Sequence, residues 1–500
     1  MQRDLVGGKD DSPGGLPASS SRYLVGGWDR SAFVWGVWTV TVAVAMLLAY
    51  RSNRFPRSDD WSLISVLTGE QPVTLDWLWT PHVVHRIFLP KVAFVALYNS
   101  VLGYDFRAGV FLNVCILAAL ALAMVLAAKH LRGSVSYSDA ALPIALLNSG
   151  GGGGVLWSFQ LQFVSSTALA SIVLLVIVCR GSAMTQRSSL LAGSCLMLLP
   201  LWGLNGLMLV PALASWLAYA GIRHRRLRAR EDATAAIMLT FSIASILLCL
   251  TYFVGYPNRE SQLWSPGLMA TAKSTVAFLS AGFGRSFSSF LDGLPWWRLT
   301  VPAAVIVTGV VVGVGLARRP EDRSRGIGLL LFIVVVVSLA VAVGVGRGGR
   351  PWGGLDAHYG TLALPVLCWM YFSWEIYGSR AASRLGHMCL FALMCGVFAL
   401  STSSALSWGG SLRQGAEAVE KDILAGIQPC ELTQRHIRFF YFLDTVETRD
   451  AVATGLRTLH RVGAGPLRLL RDEQPDAACD WTTSGMSESA SNALSPVPSK

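Results

Sequence analysis

The amino-acid sequence predicts an all-α protein built as a polytopic bundle of transmembrane helices. Of its 500 residues, 53% are hydrophobic and only 14% are charged, and the mean hydropathy is +0.49. A water-soluble globular domain of this size does not normally have that balance. The net charge of +11 lies in short clusters between apolar runs rather than on one continuous face. This distribution is typical of membrane topology and argues against nucleic-acid binding.

Eleven apolar runs are long enough to cross about 30 Å of hydrocarbon. The first follows a polar segment, residues 1–30, that is rich in Gly, Ser and Asp. Because no small-residue cleavage site follows this run, we expect an uncleaved first span preceded by a disordered cytoplasmic leader. The predicted spans, which make residues 31–405 a transmembrane domain, lie near 32–50, 107–128, 140–157, 163–179, 188–204, 206–222, 234–254, 300–317, 327–346, 360–378 and 387–405.

Lys and Arg in the short loops predict the orientation, because cationic residues are retained on the cytoplasmic side of the membrane. If segment 87–103 alone were counted as a further span, the basic loop 223–230 would lie outside. We therefore expect 87–103 to lie in the outer interface, and by the same reasoning 268–290 to be interfacial or re-entrant. With the amino terminus inside, the cytoplasmic loops are all basic and lie at 129–132, 180–187, 223–230, 318–325 and 380–387.

An odd number of spans leaves residues 406–500 outside, as a small helical region with a Ser-rich tail. This region contains Cys430 and Cys479, whereas the other seven of the nine cysteines lie in or beside apolar runs, where a thiol is a small hydrophobe. In an oxidising compartment the two could form a disulfide, and two unpaired thiols are the alternative. No Cys or His spacing is typical of a zinc site. We predict no cofactor, and a divalent cation stays an open alternative without support.

The first outer loop, predicted at residues 51–106, places Asp59 and Asp60 a few residues beyond the first span. A carboxylate at the water–lipid boundary can stay ionised and still reach the head group of a lipid substrate. Since adjacent acids do not face each other on a helix, we expect one to do chemistry and the other to orient it. The alternative is that Ser58, Asp59 and Asp60 cap the short helix that follows.

Further along the same loop, His82, His85 and Arg86 form an H-x-x-H-R group. Positions i and i+3 share one face of a helix, and such a face could bind a phosphate through Arg86 and the two imidazoles. Two alternatives remain open. The histidines could join an aspartate around a divalent cation, or the segment could be an interfacial helix with snorkelling polar side chains.

Other polar residues are predicted on the same side of the membrane. Helix caps and interfacial aromatic belts can explain each of them alone. Together they predict a polar cavity in the outer half of the bundle, because polar residues at membrane depth are costly and face a cavity or one another. They are Trp157, Gln160 and Gln162 after the third span, Asn205 after the fifth, and Arg347, Arg350, Asp356, His358 and Tyr359 after the ninth.

At these positions the chain resembles the C-type glycosyltransferases (GT-C fold), polytopic enzymes that take sugars from polyprenyl-phosphate carriers. The resemblance lies in the acidic pair soon after the first span, in interfacial segments near 62–70 and 84–103, and in a late element from His358 to Pro365.

A closer resemblance is to a group of uncharacterised bacterial membrane proteins with the motifs DDW, HNEHRI, LWGFQIQF, NGLLLWP and SRY. The corresponding segments begin here at Asp59, His82, Leu156, Asn205 and Ala357, in the same order, over roughly residues 30–380. Val83 and Val84 replace the Asn-Glu of the second motif, which weakens a metal site. His358 replaces the Arg of the last motif, which weakens a phosphate contact there. The resemblance does not include residues 406–500.

The resemblance implies transfer of a sugar from a polyprenyl-phosphate donor to an extracytoplasmic glycan, lipid or protein at the bacterial inner membrane. Asp59 is then the expected base, with Asp60 second. Substrate-binding residues would be His82, His85, Arg86 and Arg347 at the leaving phosphate, Gln160, Gln162 and Asn205 at sugar hydroxyls, and Trp157, His358 and Tyr359.

Two other functions also fit a polar cavity in a helical bundle. A transporter or flippase of lipid-linked substrates would be favoured by paired halves with discontinuous helices, and the sequence has no internal repeat. A noncatalytic scaffold could bind a partner through residues 406–500. It would leave the clustered Asp, His and Arg without a role.

Overall fold

A computed structural model describes residues 22–83, 85–100, 103–148, 154–227, 233–256, 267–284, 297–349, 353–471, 479 and 481. Regular structure within these residues is helical, apart from one isolated antiparallel bridge, so the predicted all-α class is confirmed. Arg350 and Val84 lie outside the described residues, as do residues 1–21 of the predicted leader.

Seventeen α-helices occur in the described part of the chain. They are α1 Arg22–Tyr50, α2 Ile64–Leu67, α3 Leu75–Trp79, α4 Phe88–Ser100, α5 Arg107–Arg132, α6 Ala141–Leu146, α7 Leu161–Arg180, α8 Gln186–Leu198, α9 Leu204–Leu227, α10 Ala233–Tyr252, α11 Leu268–Ser280, α12 Trp297–Arg318, α13 Arg323–Arg347, α14 Ala357–Tyr377, α15 Arg380–Leu424, α16 Pro429–Phe440 and α17 Val446–Arg461. Helix α1 thus begins inside the predicted leader.

Eight helical segments among the described residues are long and apolar enough to cross a membrane, as expected of a multi-pass membrane protein. The predicted number of eleven is not confirmed. The eight segments are Arg30–Tyr50, Arg107–Arg132, Ser158–Arg180, Leu204–Leu227, Ala233–Tyr252, Arg298–Arg318, Pro320–Arg347 and Arg380–Leu424.

The three remaining predicted spans differ from the eight for separate physical reasons. In 140–157, α6 ends at Leu146, and Trp157 lies in a turn. In 188–204, α8 has 13 residues and ends in a 3-10 turn that contains Pro200. In 360–378, α14 has 21 residues, about 32 Å, but its many aromatic and polar side chains lower its hydropathy.

The two segments predicted not to cross contain short helices. Helices α4 and α11 have 13 residues each, about 20 Å, which is less than the hydrocarbon thickness. Helix α4 packs its aromatic face inward: Phe94 stacks on Phe159 with ring centroids 5.9 Å apart, and Tyr98 lies 4.6 Å from Phe106. It is therefore part of the wall of the first loop.

Basic residues and buried acids meet at one end of the bundle, which we call the arginine end (residues 129–139, 180–187, 223–227, 318–325 and 375–387). Arg132, the last residue of α5, pairs with Asp139 and with Glu375, the latter at 2.8 Å. Arg325 pairs with Asp322 at 2.9 Å. Since α5, α7, α13 and α14 each run the length of the bundle, their other ends lie at the opposite side.

The opposite end of the bundle is the aspartate end (described residues of 51–106, 155–163, 202–205, 252–256 and 347–359). Helix α15 reaches it from the arginine end and continues without interruption past residue 405 to Leu424. The chain then folds back as α16 and α17 onto the first loop. Trp61 donates a hydrogen bond to the carbonyl of Phe440 at 3.2 Å.

The C-terminal region is held to the first loop by polar contacts as well. The carboxylate of Glu70 accepts hydrogen bonds from Thr458 at 3.1 Å and from Arg461 at 2.5 Å. Cys430 and Cys479 form a disulfide, with Cα atoms 5.6 Å apart, so the first of the two alternatives for these cysteines is the one adopted.

Candidate functional site

Asp60 is the buried centre of the aspartate end. It lies in a 3-10 turn, Ser58–Leu63, and is 1% exposed. Its carboxylate accepts hydrogen bonds from the Ser158 hydroxyl at 2.7 Å, the Trp157 indole at 3.1 Å and the Arg57 backbone N–H at 3.0 Å. Asp60 therefore caps the 3-10 turn through the Arg57 N–H, as the capping alternative predicts, and ties this turn to the one before α7.

The position of Ser158 depends on helix α5. A Cβ atom at Gly109 would lie 2.7 Å from the Ser158 side chain, so only glycine allows this approach. Asn113, one turn further along α5, donates to the carbonyl of Trp157 at 3.1 Å. The first loop and the start of α7 are thus both fastened to the same end of α5.

Asp59 differs from its neighbour, because its side chain is 35% exposed. Its carboxylate lies 3.7 Å from Nε2 of His82, and Nδ1 of the same imidazole lies 3.4 Å from the Ser62 hydroxyl. The His82 ring packs 5.0 Å from Phe159. Asp59 therefore offers an accessible carboxylate beside the imidazole of His82, which Ser62 and Phe159 hold in place.

The expected helix with His82 and His85 on one face is wrong. The two residues form a tight antiparallel bridge, His82 N–H to His85 carbonyl at 2.7 Å and the reverse at 2.9 Å, between the end of α3 and the start of α4. Val83 in this turn has φ of +53°, and Ser58 has +49°. These are the only non-glycine residues with positive φ in the described chain, and such strain is common near functional sites.

Arg86 is buried and bonded to the main chain. Its guanidinium donates to the carbonyls of Tyr252 at 2.9 Å, Val254 at 2.8 Å and Trp79 at 2.6 Å. It thereby closes the last turn of α10, whose terminal carbonyls need donors. This geometry gives Arg86 a positioning role, and its predicted contact with a phosphate has no further support.

Three side-chain amides of the predicted set face the interior. Gln160, Gln162 and Asn205 are 1%, 5% and 9% exposed, yet Oε1 of both glutamines and Nδ2 of Asn205 make no hydrogen bond within the described residues. A Cβ atom at Gly203 would lie 3.1 Å from the Asn205 amide oxygen and 3.6 Å from that of Gln162. Buried polar atoms without hydrogen-bond partners lower the stability of a protein. Gln162 and Asn205 are therefore suited to binding a polar ligand.

The late residues converge on the same end of the bundle. His358, in the first turn of α14, stacks on Phe163 at 5.2 Å and lies within electrostatic range of Arg347, Asp59 and His85. Tyr359 instead turns into the core, 6% exposed and 5.7 Å from Phe278. His358 thus lies within electrostatic range of Asp59, while Tyr359 packs in the core.

Arg57 is a site residue that the sequence analysis missed. Its guanidinium lies 5.3 Å from the ring of Trp408 and 4.5 Å from that of Phe442. Nε is buried, and no acid or carbonyl accepts a hydrogen bond from this guanidinium within the described residues. The signal available in the sequence is an Arg three residues before Asp60, and nothing there indicates the two aromatic partners.

Burial shifts the pKa values of Asp60 and Arg57. Removal from water, partly offset by hydrogen bonds from Ser158, Arg57 and Trp157, raises the pKa of Asp60 to about 7. Desolvation, partly offset by the negative charge of Asp60, lowers the pKa of Arg57 to about 10. The site thus contains a carboxyl group that can change its protonation state near neutral pH.

Within the described residues, no group of three His, Cys, Asp or Glu side chains could coordinate a metal ion. Comparison with known proteins adds no relative, since no family model, no curated protein and no solved structure matches the chain.

Proposed function

We propose that the protein is a membrane glycosyltransferase with a GT-C-like fold. It transfers a sugar from a polyprenyl-phosphate donor to an extracytoplasmic acceptor at the bacterial inner membrane. The observation that carries the proposal is the accessible Asp59 beside His82, at the end of the bundle where an Arg without acidic partners and unpartnered buried amides also lie. This arrangement combines a base, a cation and hydroxyl-binding groups.

In the proposed reaction Asp59 is the catalytic base. The acceptor hydroxyl gives its proton to Asp59 while its oxygen bonds to the anomeric carbon, and a positioned carboxylate typically accelerates such a step by about 10²–10⁴. The bond from the anomeric carbon to the phosphate oxygen breaks, and its electron pair leaves on the polyprenyl phosphate. Asp60 holds the turn that carries Asp59.

The departing phosphate needs a cation, because charge develops on it as the bond breaks. Arg57 suits this role better than Arg86, since its guanidinium has no acidic or carbonyl partner among the described residues while that of Arg86 is bonded to three carbonyls. Arg347 is a second cation at this end of the bundle, and His82 offers a ring N–H as a hydrogen-bond donor to the phosphate. Gln160, Gln162 and Asn205 hold sugar hydroxyls through their open amide atoms.

The proposed orientation puts the amino terminus in the cytoplasm and the aspartate end outside. Two observations support it. The basic loops gather at the arginine end, which the rule for cationic loops assigns to the cytoplasm. The C-terminal region, which packs on the first loop at the aspartate end, contains a disulfide, and disulfides persist in oxidising compartments.

The test is turnover of synthetic polyprenyl phosphates carrying single hexoses or pentoses, measured as release of polyprenyl phosphate by purified protein. We expect Asp59→Asn to reduce the rate by about 10²–10⁴. The control Asp444→Asn, an acid of the C-terminal region paired with Arg449, should keep the wild-type rate.

Full turnover by the Asp59→Asn variant would rule out the assignment of the base. Movement of the intact donor across vesicles by the wild type, without bond cleavage, would favour a flippase instead.

A further inference from the structure

One large aromatic side chain of the C-terminal region faces outward beside the site. Phe439 and Phe440, at the end of α16, are 5% and 0% exposed, whereas Phe442 two residues later is 61% exposed. The chain leaves the helix in an extended conformation at Tyr441, which turns Phe442 away from the packed core. An exposed aromatic ring at such a place is suited to contact with a ligand.

Phe442 packs against Arg57 and Trp157, two residues that donate hydrogen bonds to Asp60. Its ring is 4.5 Å from the guanidinium of Arg57 and packs edge-on against Trp157 at 5.9 Å. The preceding Tyr441 lies within electrostatic range of Asp59. The segment 441–443 therefore contacts Arg57 and Trp157 and lies within electrostatic range of Asp59.

The segment is fixed relative to the acids. Trp61, which follows the acid pair directly, packs on Phe440 at 5.4 Å and on Gly455, where a Cβ atom would lie 2.6 Å from the indole. The hydrogen bond from Trp61 to the Phe440 carbonyl adds a polar restraint. Because these contacts join the C-terminal region to the 3-10 turn itself, Phe442 keeps a defined position relative to the turn that carries Asp59.

We propose that the exposed face of Phe442 is the platform on which the sugar ring of a glycan acceptor stacks, with its hydroxyl directed toward Asp59. The inference rests on the proposed function and narrows the acceptor to a carbohydrate. A sugar ring has an apolar face and a hydroxyl rim, and the site offers an aromatic face beside the charged guanidinium of Arg57.

The rival occupant is a lipid chain, because Leu443 and Val446 are also exposed, at 63% and 56%. A lipid would contact all three apolar side chains and would not require an aromatic ring. A stacked sugar requires the flat ring of Phe442 and is indifferent to Leu443. The two occupants therefore predict different effects for neighbouring substitutions.

The experiment measures binding of methyl glycosides of mannose, galactose, glucose and arabinose to the full-length protein in detergent, by saturation-transfer NMR. We expect at least one glycoside to bind the wild type and Phe442→Ala to weaken its binding about tenfold or more. Phe442→Trp should restore binding to within about threefold of the wild type, and the matched control Leu443→Ala should change it less than about twofold.

Unchanged glycoside binding in Phe442→Ala, or binding of none of the four, would overturn the inference. The inference would also be overturned by a lipid pattern in the affinity for the polyprenyl-phosphate donor. In that pattern Phe442→Ala and Leu443→Ala lower the donor affinity equally, and Phe442→Leu restores it. If glycosides bind through Phe442 while no polyprenyl-phosphate sugar is cleaved, the inference stands as a carbohydrate site and the proposed reaction fails.

Discussion

The two ends of the bundle treat buried charge in opposite ways. At the arginine end, Asp139 and Glu375 share Arg132, and Asp322 accepts hydrogen bonds from Arg325 and Tyr377. At the aspartate end, Asp60 is bonded to a hydroxyl, an indole and a backbone N–H, while Arg57 faces two aromatic rings. The buried acids of the arginine end are thus paired with arginine guanidinium groups, whereas the buried carboxylate of Asp60 is not.

This difference separates stability from function. Removing one partner of a buried ion pair strongly destabilises the folded protein. The closed network at the arginine end therefore holds the helices together. Groups without partners cost stability and are retained where a ligand completes them. The open amides and the Arg57 guanidinium, which is bonded to no acid, are therefore the reason why the proposed substrate site is assigned to the aspartate end.

The largest expected contrast between the ends is accessibility from outside the cell. In a background with the exposed Cys115, Cys389 and Cys395 changed to serine, we expect Leu443→Cys to react with a membrane-impermeant maleimide on intact cells. Arg226→Cys, exposed at the arginine end, should react only after permeabilisation. Labelling of position 226 but not of position 443 from outside would reverse the orientation.

Breaking the closed network should cost the most stability. Arg132→Ala leaves Asp139, which is fully buried, and Glu375 without their cation, and we expect a loss of about 3–5 kcal/mol in the free energy of unfolding. Thermal unfolding in detergent measures it. The exposed control Arg226→Ala should change stability by less than about 0.5 kcal/mol, and equal melting of both variants would contradict the role of the network.

Burial of Asp60 at the aspartate end should make the stability of the protein depend on pH. The pKa of Asp60 in the folded protein, about 7, lies above its ordinary value of 3.8, so the folded state binds the proton more tightly. Wild-type stability should therefore fall as the pH rises from about 4 to about 7, by at most about 1.4 kcal/mol per pH unit. Asp60→Asn has no such proton, and its melting temperature should rise relative to the wild type over that range.

A second substitution sharpens the same measurement. The hydrogen bond from Ser158 lowers the pKa of Asp60, so Ser158→Ala should extend the fall in stability to higher pH. Parallel pH–stability curves for the wild type and Asp60→Asn would show that Asp60 does not titrate in this window.

The smallest expected effect is relief of backbone strain. Val83 has φ of +53° at the tip of the histidine bridge, a region that Asn adopts more easily than a β-branched residue. We expect Val83→Asn to stabilise the protein by about 1 kcal/mol. Val73→Asn, at an exposed position outside the left-handed region, should give no gain. A gain of equal size there would assign the effect to surface polarity.

The sequence predicted the helical class and the short helices of the first loop, because hydropathy and length are local properties. The number of spans is not confirmed, since runs such as 188–204 are apolar along the chain but contain Pro200, which ends a helix early. The H-x-x-H spacing was interpreted as a helix face. Its real geometry depends on a left-handed turn at Val83 that no periodicity indicates.

The aromatic surroundings of Arg57 could not be predicted for a different reason. Trp61 and Phe440, whose contact brings the C-terminal region to the site, lie 379 positions apart in the chain. Pattern analysis relates neighbours in sequence, and the C-terminal region has no counterpart in the family resemblance. Which acid is buried and which is accessible likewise depends on Ser158 and Trp157, residues brought from another turn.

Helix α15 is one uninterrupted helix that joins the arginine end to the aspartate end. Its 45 residues contain no proline and extend about 68 Å, with His387 against Tyr371 near one end and Trp408 against Arg57 further along. A chain cut after residue 405 would therefore lose Trp408, which contacts Arg57 at the candidate site, together with the C-terminal residues. Trimming the protein to its membrane-embedded part would dismantle the site rather than isolate it.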